Sequence, residues 1–483
     1  MARRIQRQQI AAILFFGLFF AVALPTRPAE PPLSPEQQAV MNHIGADSLR
    51  GHVSFLSSDL LEGRATPSRG LDLAAEYLAS QFRRAGLEPA GDDGYFQTAS
   101  VTVREPNYNG FEISIAAGGG TLTLSKNDVF LAPASALHLD NAPVVVLDGT
   151  AAVSPDVNGK VVLVTAPRAA RQLQGEPMPT LVLIAGRLPA SGTQVFDPES
   201  PASGFPTGVI ANPELAAFVK GAADVRITLH VEAARERPAT VRNVAAILRG
   251  SSPQLRDTYV MLTSHYDHIG LAASGEDRVY NGANDDGSGT ASVLEIASAL
   301  AAMPVPPQRS LLFVMFFGEE RDLWGSRYYG HHPLVPPSST VADLNLEQIG
   351  RTDAADGPQI KTASITGFDF SDLPRILAEA AQQAGVRVYK NPEASDAFFS
   401  RSDNQSLADL GVPAHTLCVA FEFPDYHQVT DSWEKLDYAN MATVDRAVAL
   451  GLLRLASAAA PPKWNESYLP AKKYADAARK LHP

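Results

Sequence analysis

Histidine and carboxylate side chains occur in short clusters directly after apolar segments in the second half of the 483-residue chain. These side chains are among the ligands that zinc prefers in proteins. One histidine or acid at such a position is more often hydrogen-bonded or solvated, but suitable ligands that recur after successive apolar segments indicate a metal site. The clusters are Ser264–His268, Asn281–Gly289, Phe317–Glu320 and Asn345–Glu347, and a later histidine lies in Asp425–His427.

The spacing within the clusters indicates separate roles. His265 and Asp267 are two residues apart, so in an extended segment their side chains share a face, and Asp267 can orient the imidazole of His265. In the second cluster, glycines and a turn bring carboxylates close to the backbone before a helix. Taken alone, the adjacent acids Glu319 and Glu320 would be a solvated pair or a charge at a helix N-terminus.

The apolar pattern around the clusters predicts the elements that must position them. Strands joined by helices of this length imply crossover connections and an α/β fold, with a mainly parallel sheet covered by helices on both faces. Ligand sites in such sheets lie beyond the carboxyl ends of the strands. The predicted strands are 259–263, 310–317, 341–349 and 414–420, and the predicted helices are 287–302, 372–384 and 438–456.

The first half of the chain has a different pattern. Residues 47–96 predict two helices, one of them over 71–84, where Gly86 forms the C-cap. From about residue 105 to 234, short β-rich runs alternate with glycine, proline, asparagine and aspartate turns, which predicts a separate β-rich module.

The N-terminus has the pattern of a secretory signal peptide. Three arginines precede an apolar run over residues 10–24, and Ala21–Ala23 provides an A-x-A cleavage site. The run is shorter than the roughly 20 residues that a spanning helix needs. We therefore expect cleavage and an exported protein, periplasmic or secreted, and an uncleaved membrane anchor remains the alternative.

The net charge argues against a nucleic-acid-binding protein, and the cysteine content excludes an internal disulfide. Removing residues 1–23 takes away three arginines and no acids, which moves the formal net charge from −12 to −15. Such an acidic protein is a poor nucleic-acid binder. The lone cysteine, Cys418, leaves no internal disulfide to support an exported fold, so stability must come from core packing, and from metal if metal is bound.

From Val241 to about Ala456 the four clusters follow the order and spacing found in the co-catalytic zinc exopeptidases, and the chain resembles this family, which includes aminopeptidase S, aminopeptidase Y and glutamate carboxypeptidase II. The resemblance implies two zinc ions. It assigns His265 and Glu347 to one ion, Glu320 and His427 to the other, and Asp285 to both as a bridge.

The resemblance also implies the groups that act on the substrate. Glu319 is then the general base, and Tyr426 donates a hydrogen bond to the tetrahedral oxyanion. It further implies a cis peptide bond after Asp285. Two positions depart from the pattern: Glu347 stands where many relatives have aspartate, and Ser402-Asp403-Asn404 stands where relatives often have Ser-Asp-His.

The second departure concerns specificity, and we expect Arg401, Ser402 and Asp403 to line the substrate site. The helical segment before the β-rich module resembles the part that precedes the catalytic core in this family, and the module resembles a protease-associated domain. The resulting division is a signal peptide (1–23), a spacer (24–46), a helical part of the catalytic domain (47–104), the β-rich module (105–238), the catalytic domain (239–460) and a polar surface tail (461–483).

The favoured function is an aminopeptidase acting on peptides. A carboxypeptidase or dipeptidase on the same core would need basic residues for a C-terminal carboxylate, and Arg351 and Arg401 are candidates. A glutaminyl cyclase with one zinc and a binding protein without metals are further alternatives. The sequence lacks both the H-E-x-x-H helix and the G-x-S-x-G elbow of other hydrolases.

Overall fold

A computed structural model describes residues 32–149, 156–166, 169, 178–197, 199 and 205–482. The predicted signal peptide lies outside these residues. Within the part of the chain that is described, no helix is long and apolar enough to cross a bilayer.

The N-terminal helices pack on the catalytic core. The first begins inside the segment predicted as a spacer, because Ser34 and Gln37 form a reciprocal capping box. Val40 and Ile44 are buried in the main core, so the ordered domain includes these residues. The helices are α1 (Pro35–His43), α2 (Ala46–Leu56) and α3 (Arg69–Arg84), and the short strand β1 (Glu88–Pro89) follows them.

The β-rich module has its own apolar core, formed largely by Val, Ile and Leu side chains. Two long strands, β2 and β10, pair antiparallel and continue from the module into the catalytic domain. The elements of this region are β2 (Phe96–Ala117), β3 (Gly120–Thr123), β4 (Val129–Leu131), β5 (Leu137–Leu147), β6 (Val161–Val164), β7 (Leu181–Ala185), β8 (Gln194–Phe196), β9 (Thr207–Ile210), α4 (Leu215–Val219) and β10 (Val225–Leu248).

The catalytic domain continues with alternating strands and helices. Its elements are β11 (Tyr259–His265), β12 (Gly270–Leu271), β13 (Val279–Tyr280), α5 (Gly289–Ala301), β14 (Ser310–Phe316), α6 (Trp324–His331), β15 (Thr340–Glu347), β16 (Asp353–Ala354), β17 (Gly357–Pro358), β18 (Thr362–Ile365), α7 (Leu373–Gln383), β19 (Arg387–Tyr389), α8 (Asn404–Asp409), β20 (Ala414–Cys418), α9 (Tyr438–Ser457) and α10 (Lys472–Leu481).

The catalytic sheet has the order β19-β18-β20-β15-β11-β14-β10. The four central strands, β20, β15, β11 and β14, run parallel. At the sides of this group, β10 pairs antiparallel with β14 and β18 pairs antiparallel with β20, whereas β19 is parallel to β18. Every residue of β11 and β14 is buried, as expected for strands covered on both faces. The predicted α/β fold with a mainly parallel sheet is confirmed.

The C-terminal segment differs from the predicted polar surface tail. Trp464 and Tyr474 are buried and stack with ring centroids 5.1 Å apart. The polar composition of α10 hides this packing, because its few apolar residues lie on one face.

Candidate metal centre

The carboxyl ends of β11, β14 and β15 bring the predicted ligands to one edge of the sheet. His265 is the last residue of β11 and pairs with Phe316 at the end of β14, so the acids after β14 follow directly beside it. Glu347 is the last residue of β15 on the other side of β11. The parallel register therefore places ligands from distant parts of the chain within reach of one another.

Asp285 lies between two histidines. Its Oδ1 is 3.4 Å from Nε2 of His265, and its Oδ2 is 3.1 Å from Nε2 of His427. The carboxylate is buried, and the neighbouring imidazoles hold its pKa well below the usual range for aspartate. Each oxygen of one carboxylate thus faces a different imidazole, which is the arrangement that a bridging ligand requires. The peptide bond between Asp285 and Asp286 is cis, as the resemblance implied.

Glu320 contacts two histidines on the far side of Asp285. Its Oε1 lies 3.4 Å from Nε2 of His427 and 2.8 Å from Nδ1 of His268. These imidazoles lower the pKa of Glu320 to about 2 against the opposing effect of burial. No role was predicted for His268, although it belongs to the first histidine cluster.

Glu319 faces His265 without joining the other ligands. Its Oε2 is 3.9 Å from Nε2 of His265, and its backbone N–H donates to Oδ1 of Asp267. Burial raises the pKa of Glu319 well above its ordinary value, and the nearby Glu347 and Asp403 act in the same direction. Asp267 itself is fully buried, with Oδ1 at 3.5 Å from Nδ1 of His265, so it supports both the histidine and the glutamate.

Glu347 is held by the loop predicted to line the substrate site. The hydroxyl of Ser402 donates to Oε1 of Glu347 and accepts from the side-chain amide of Asn345. Asp403 differs from the prediction, since it is fully buried and does not line the cavity. Burial raises the pKa of Asp403 to about 7. Asp403 lies at the start of α8, where the turn that leads into the helix directs it away from the cavity.

A cavity opens beside these ligands. Tyr426 forms part of its wall and stacks on His427 with ring centroids 3.9 Å apart. Arg401 also lines the cavity, with its guanidinium over the ring of Phe398. Arg351, by contrast, is buried and bonded to Asp353 and Asp425, so it is not available to a substrate.

Two buried acids fix the backbone around Asp285, and no role was predicted for either. The carboxylate of Asp431 accepts from the backbone N–H groups of Asn284 and Asp285. The carboxylate of Asp286 accepts from the backbone of Gly289 and Gln348, which ties the start of α5 to the end of β15.

Arg64 also connects the loops around the metal ligands, and no role was predicted for it. Its guanidinium donates to the backbone carbonyls of Leu56, Tyr266, Asn281 and Gly282. Arg64 lies in the part of the chain before the β-rich module, residues 47–104, for which only a general resemblance to the family was expected.

The residues present fit zinc. The donor set consists of imidazoles and carboxylates, which are the ligands of catalytic zinc sites. Both ring nitrogens of His268 and Oε1 of Glu320 are buried and lack hydrogen-bond partners in the described part of the chain. Buried polar atoms are normally paired, so these atoms indicate a cation as their partner.

Known proteins resemble this chain in sequence and fold. Leupeptin-inactivating enzyme 1 of Streptomyces exfoliatus is 32% identical over 232 residues, which cover 47% of each chain. A protein of Pyrenophora teres f. teres, described as a probable zinc metalloprotease, is 31% identical over 176 residues, covering 36% of this chain and 35% of the relative. The matches thus span half or less of these curated relatives.

Solved structures extend the comparison over most of the fold. The aminopeptidase from Aneurinibacillus sp. strain AM-1 superposes with a TM-score of 0.57 at 22% identity, covering 86% of this chain and 95% of that structure. A zinc aminopeptidase from Bacillus subtilis superposes with a TM-score of 0.55 at 18% identity, covering 85% and 94%. Residues 243–451 match peptidase family M28. This segment contains every predicted metal ligand, and its match confirms the resemblance to the co-catalytic zinc exopeptidases.

Proposed function

We propose that this protein is an exported exopeptidase that uses two zinc ions and releases N-terminal residues from peptides. The observation that carries the proposal is the position of Asp285, which offers one carboxylate oxygen toward His265 and the other toward His427. A single carboxylate placed in this way can belong to two metal sites.

The remaining ligands divide between the two sites. His265 and Glu347 would hold one ion with Asp285, and Glu320 and His427 would hold the other. Two adjacent zinc ions supply Lewis acidity, which polarises a substrate carbonyl and lowers the pKa of water.

Two residues would act on the reacting atoms. Glu319 lies beside the ligands, with Oε2 3.9 Å from Nε2 of His265, where it can accept a proton and return it to the leaving amine. Tyr426 faces the cavity from the His427 side, where its hydroxyl can donate to the oxyanion that forms at the scissile carbonyl.

The charges of the cavity favour an aminopeptidase. Its walls carry several carboxylates, among them Glu319, Glu347 and Glu422, which would attract a free α-ammonium group. Two arginines were considered as partners for a C-terminal carboxylate. Arg351 forms ion pairs with Asp353 and Asp425, and of the two only Arg401 lines the cavity. A carboxypeptidase or dipeptidase therefore stays the second candidate, because Arg401 would suit its substrate.

A panel of substrates assayed with zinc tests the direction of cleavage. Peptides with a free N-terminus should be hydrolysed, and the same peptides with a blocked N-terminus should not. Cleavage of N-blocked peptides that have a free C-terminus would instead support the carboxypeptidase. Cyclisation of N-terminal glutamine without hydrolysis would support a glutaminyl cyclase, and absence of both zinc and turnover would support a binding protein.

Export is proposed from the sequence pattern of residues 1–23. N-terminal sequencing of the protein from its native host should give Leu24 as the first residue. Recovery of the intact segment in membranes would support the uncleaved anchor.

A further inference from the structure

His268 lies against the metal centre although no role was predicted for it. Its side chain is fully buried, and its Nδ1 lies 2.8 Å from Oε1 of Glu320. One ligand atom from each of His268, Asp285 and Glu320 lies within 4.8 Å of the other two. Zinc binds nitrogen and oxygen at roughly 2.0 to 2.2 Å, so Nδ1 of His268 and Oε1 of Glu320, 2.8 Å apart, are close enough to share one ion.

The contact between His268 and Glu320 is not satisfied by hydrogen bonding. Neither ring nitrogen of His268 has a hydrogen-bond partner in the described part of the chain, and the same holds for Oε1 of Glu320. When its ring nitrogen is unprotonated, His268 presents a lone pair to the same space as the lone pairs of the Glu320 carboxylate. A cation is the partner that satisfies both groups at once.

The surrounding backbone fixes the imidazole in this position. The ring packs directly on Gly282, where a Cβ atom would lie 2.5 Å from Cγ of His268. The backbone N–H of His268 donates to the carbonyl oxygen of Arg64 at 3.2 Å. His268 is therefore held in place before any ligand binds, whereas the side chain of His427 is about one third exposed.

We propose that His268 is a ligand of the zinc ion that Glu320 and His427 hold. This inference rests on the two-zinc centre proposed above. The ion would then have four protein ligands, His268, Asp285, Glu320 and His427, whereas the ion at His265 has three and keeps an open position. Sites with four protein ligands are typical of structural zinc and sites with three of catalytic zinc. The two ions should therefore differ in affinity, with the ion at His268 bound more tightly.

Zinc titration of the full-length, metal-free protein tests the proposal. We would compare wild type, His268→Ala, His268→Gln and the control His230→Gln by calorimetry, because His230 lies in the β-rich module. Glutamine keeps a hydrogen-bond donor for Glu320 but is a poor zinc ligand. Both His268 variants should raise the Kd of the tighter zinc more than the roughly 10- to 100-fold expected from the loss of a residue that only orients a ligand.

The outcomes separate the possible roles. Near-wild-type zinc affinity in His268→Gln together with weaker binding in His268→Ala would overturn the proposal, because it would show that a donor to Glu320 is enough. Unchanged binding in both variants would also overturn it. Wild type that binds fewer than two zinc ions would refute the two-zinc centre itself, and circular dichroism of the metal-free proteins shows whether each variant folds.

A second measurement needs no variant. The wild-type protein labelled with ¹⁵N-histidine and loaded with ¹¹³Cd²⁺ should show metal–nitrogen couplings to three histidines, His265, His268 and His427. Couplings to His265 and His427 alone would overturn the assignment of His268.

Discussion

Replacing Arg64 with lysine should strongly destabilise the catalytic domain. The guanidinium donates to four backbone carbonyls, at 2.8 Å to Tyr266, 2.8 Å to Asn281 and 2.9 Å to Gly282, and also to Leu56. Burial lowers the pKa of Arg64 to about 10, so the group stays charged at neutral pH. A lysine has three donors on one nitrogen and cannot span acceptors that surround a planar fork.

The expected magnitude follows from the hydrogen bonds lost. A hydrogen bond to a charged group contributes about 1.5–3 kcal/mol, so losing two of the four should lower the free energy of unfolding by about 3–6 kcal/mol. Domains are stable by only about 5–15 kcal/mol, which makes this loss a large fraction of the total. Because the acceptors flank His265, His268 and Asp285, zinc binding should weaken as well.

Urea unfolding followed by tryptophan fluorescence measures the effect. Arg50→Lys is the matched control, since Arg50 is half-exposed and its pair with Asp47 contributes at most about 1 kcal/mol. If Arg64→Lys lowers the free energy of unfolding by less than about 1 kcal/mol, the argument is refuted, because other donors would then be able to bond to the four carbonyls.

Three further changes test the site and the core. Glu319→Gln should retain zinc by mass spectrometry while kcat falls by about 10²–10⁴-fold, since shape is kept and proton transfer is lost; near-normal turnover would remove Glu319 from the mechanism. His265→Ala should lower the zinc content from near two ions per chain to near one while the fold survives, and an unchanged count would show that His265 is not a ligand. His415 is buried between Ser371 and Thr366, and burial lowers its pKa to about 4, against roughly 6.5 in the unfolded chain. The unfolded chain therefore gains a proton first, and about 3 kcal/mol of stability should be lost as pH falls from 7 to 4; urea unfolding of His415→Gln should lack this part of the pH slope, and an unchanged slope would assign it to other groups.

The elements and the clusters of candidate ligands could be predicted because both depend on local pattern, and the resemblance to the family then assigned the ligands among them. Unbroken apolar runs indicated buried parallel strands, and the acids and histidines that follow them lie at strand ends in the structure. The strand predicted at 259–263 extends to His265, and the helix predicted at 438–456 extends by one residue.

Other features depend on contacts between distant segments and could not be predicted. The four acceptors of Arg64 come from positions between 8 and 218 residues away. The position of His268 depends on Gly282, whose missing side chain makes room for the imidazole. Asp403 was expected in the cavity because of its place in a motif, but its burial is set by how the turn before α8 packs.

The pairing of β2 with β10 makes the β-rich module an extension of a hairpin. Ser100 lies opposite Thr240, and Val101 lies opposite Ala239, at the level where both strands leave the catalytic sheet. A two-residue Asn-Gly turn could join the strands at this point, because such turns match the twist of antiparallel partners. The catalytic domain could then be produced as a shorter, continuous chain in which β10 keeps its place beside β14. An insertion of more than a hundred residues could thus have entered an ancestral hairpin without changing the register of the strands that hold the metal ligands.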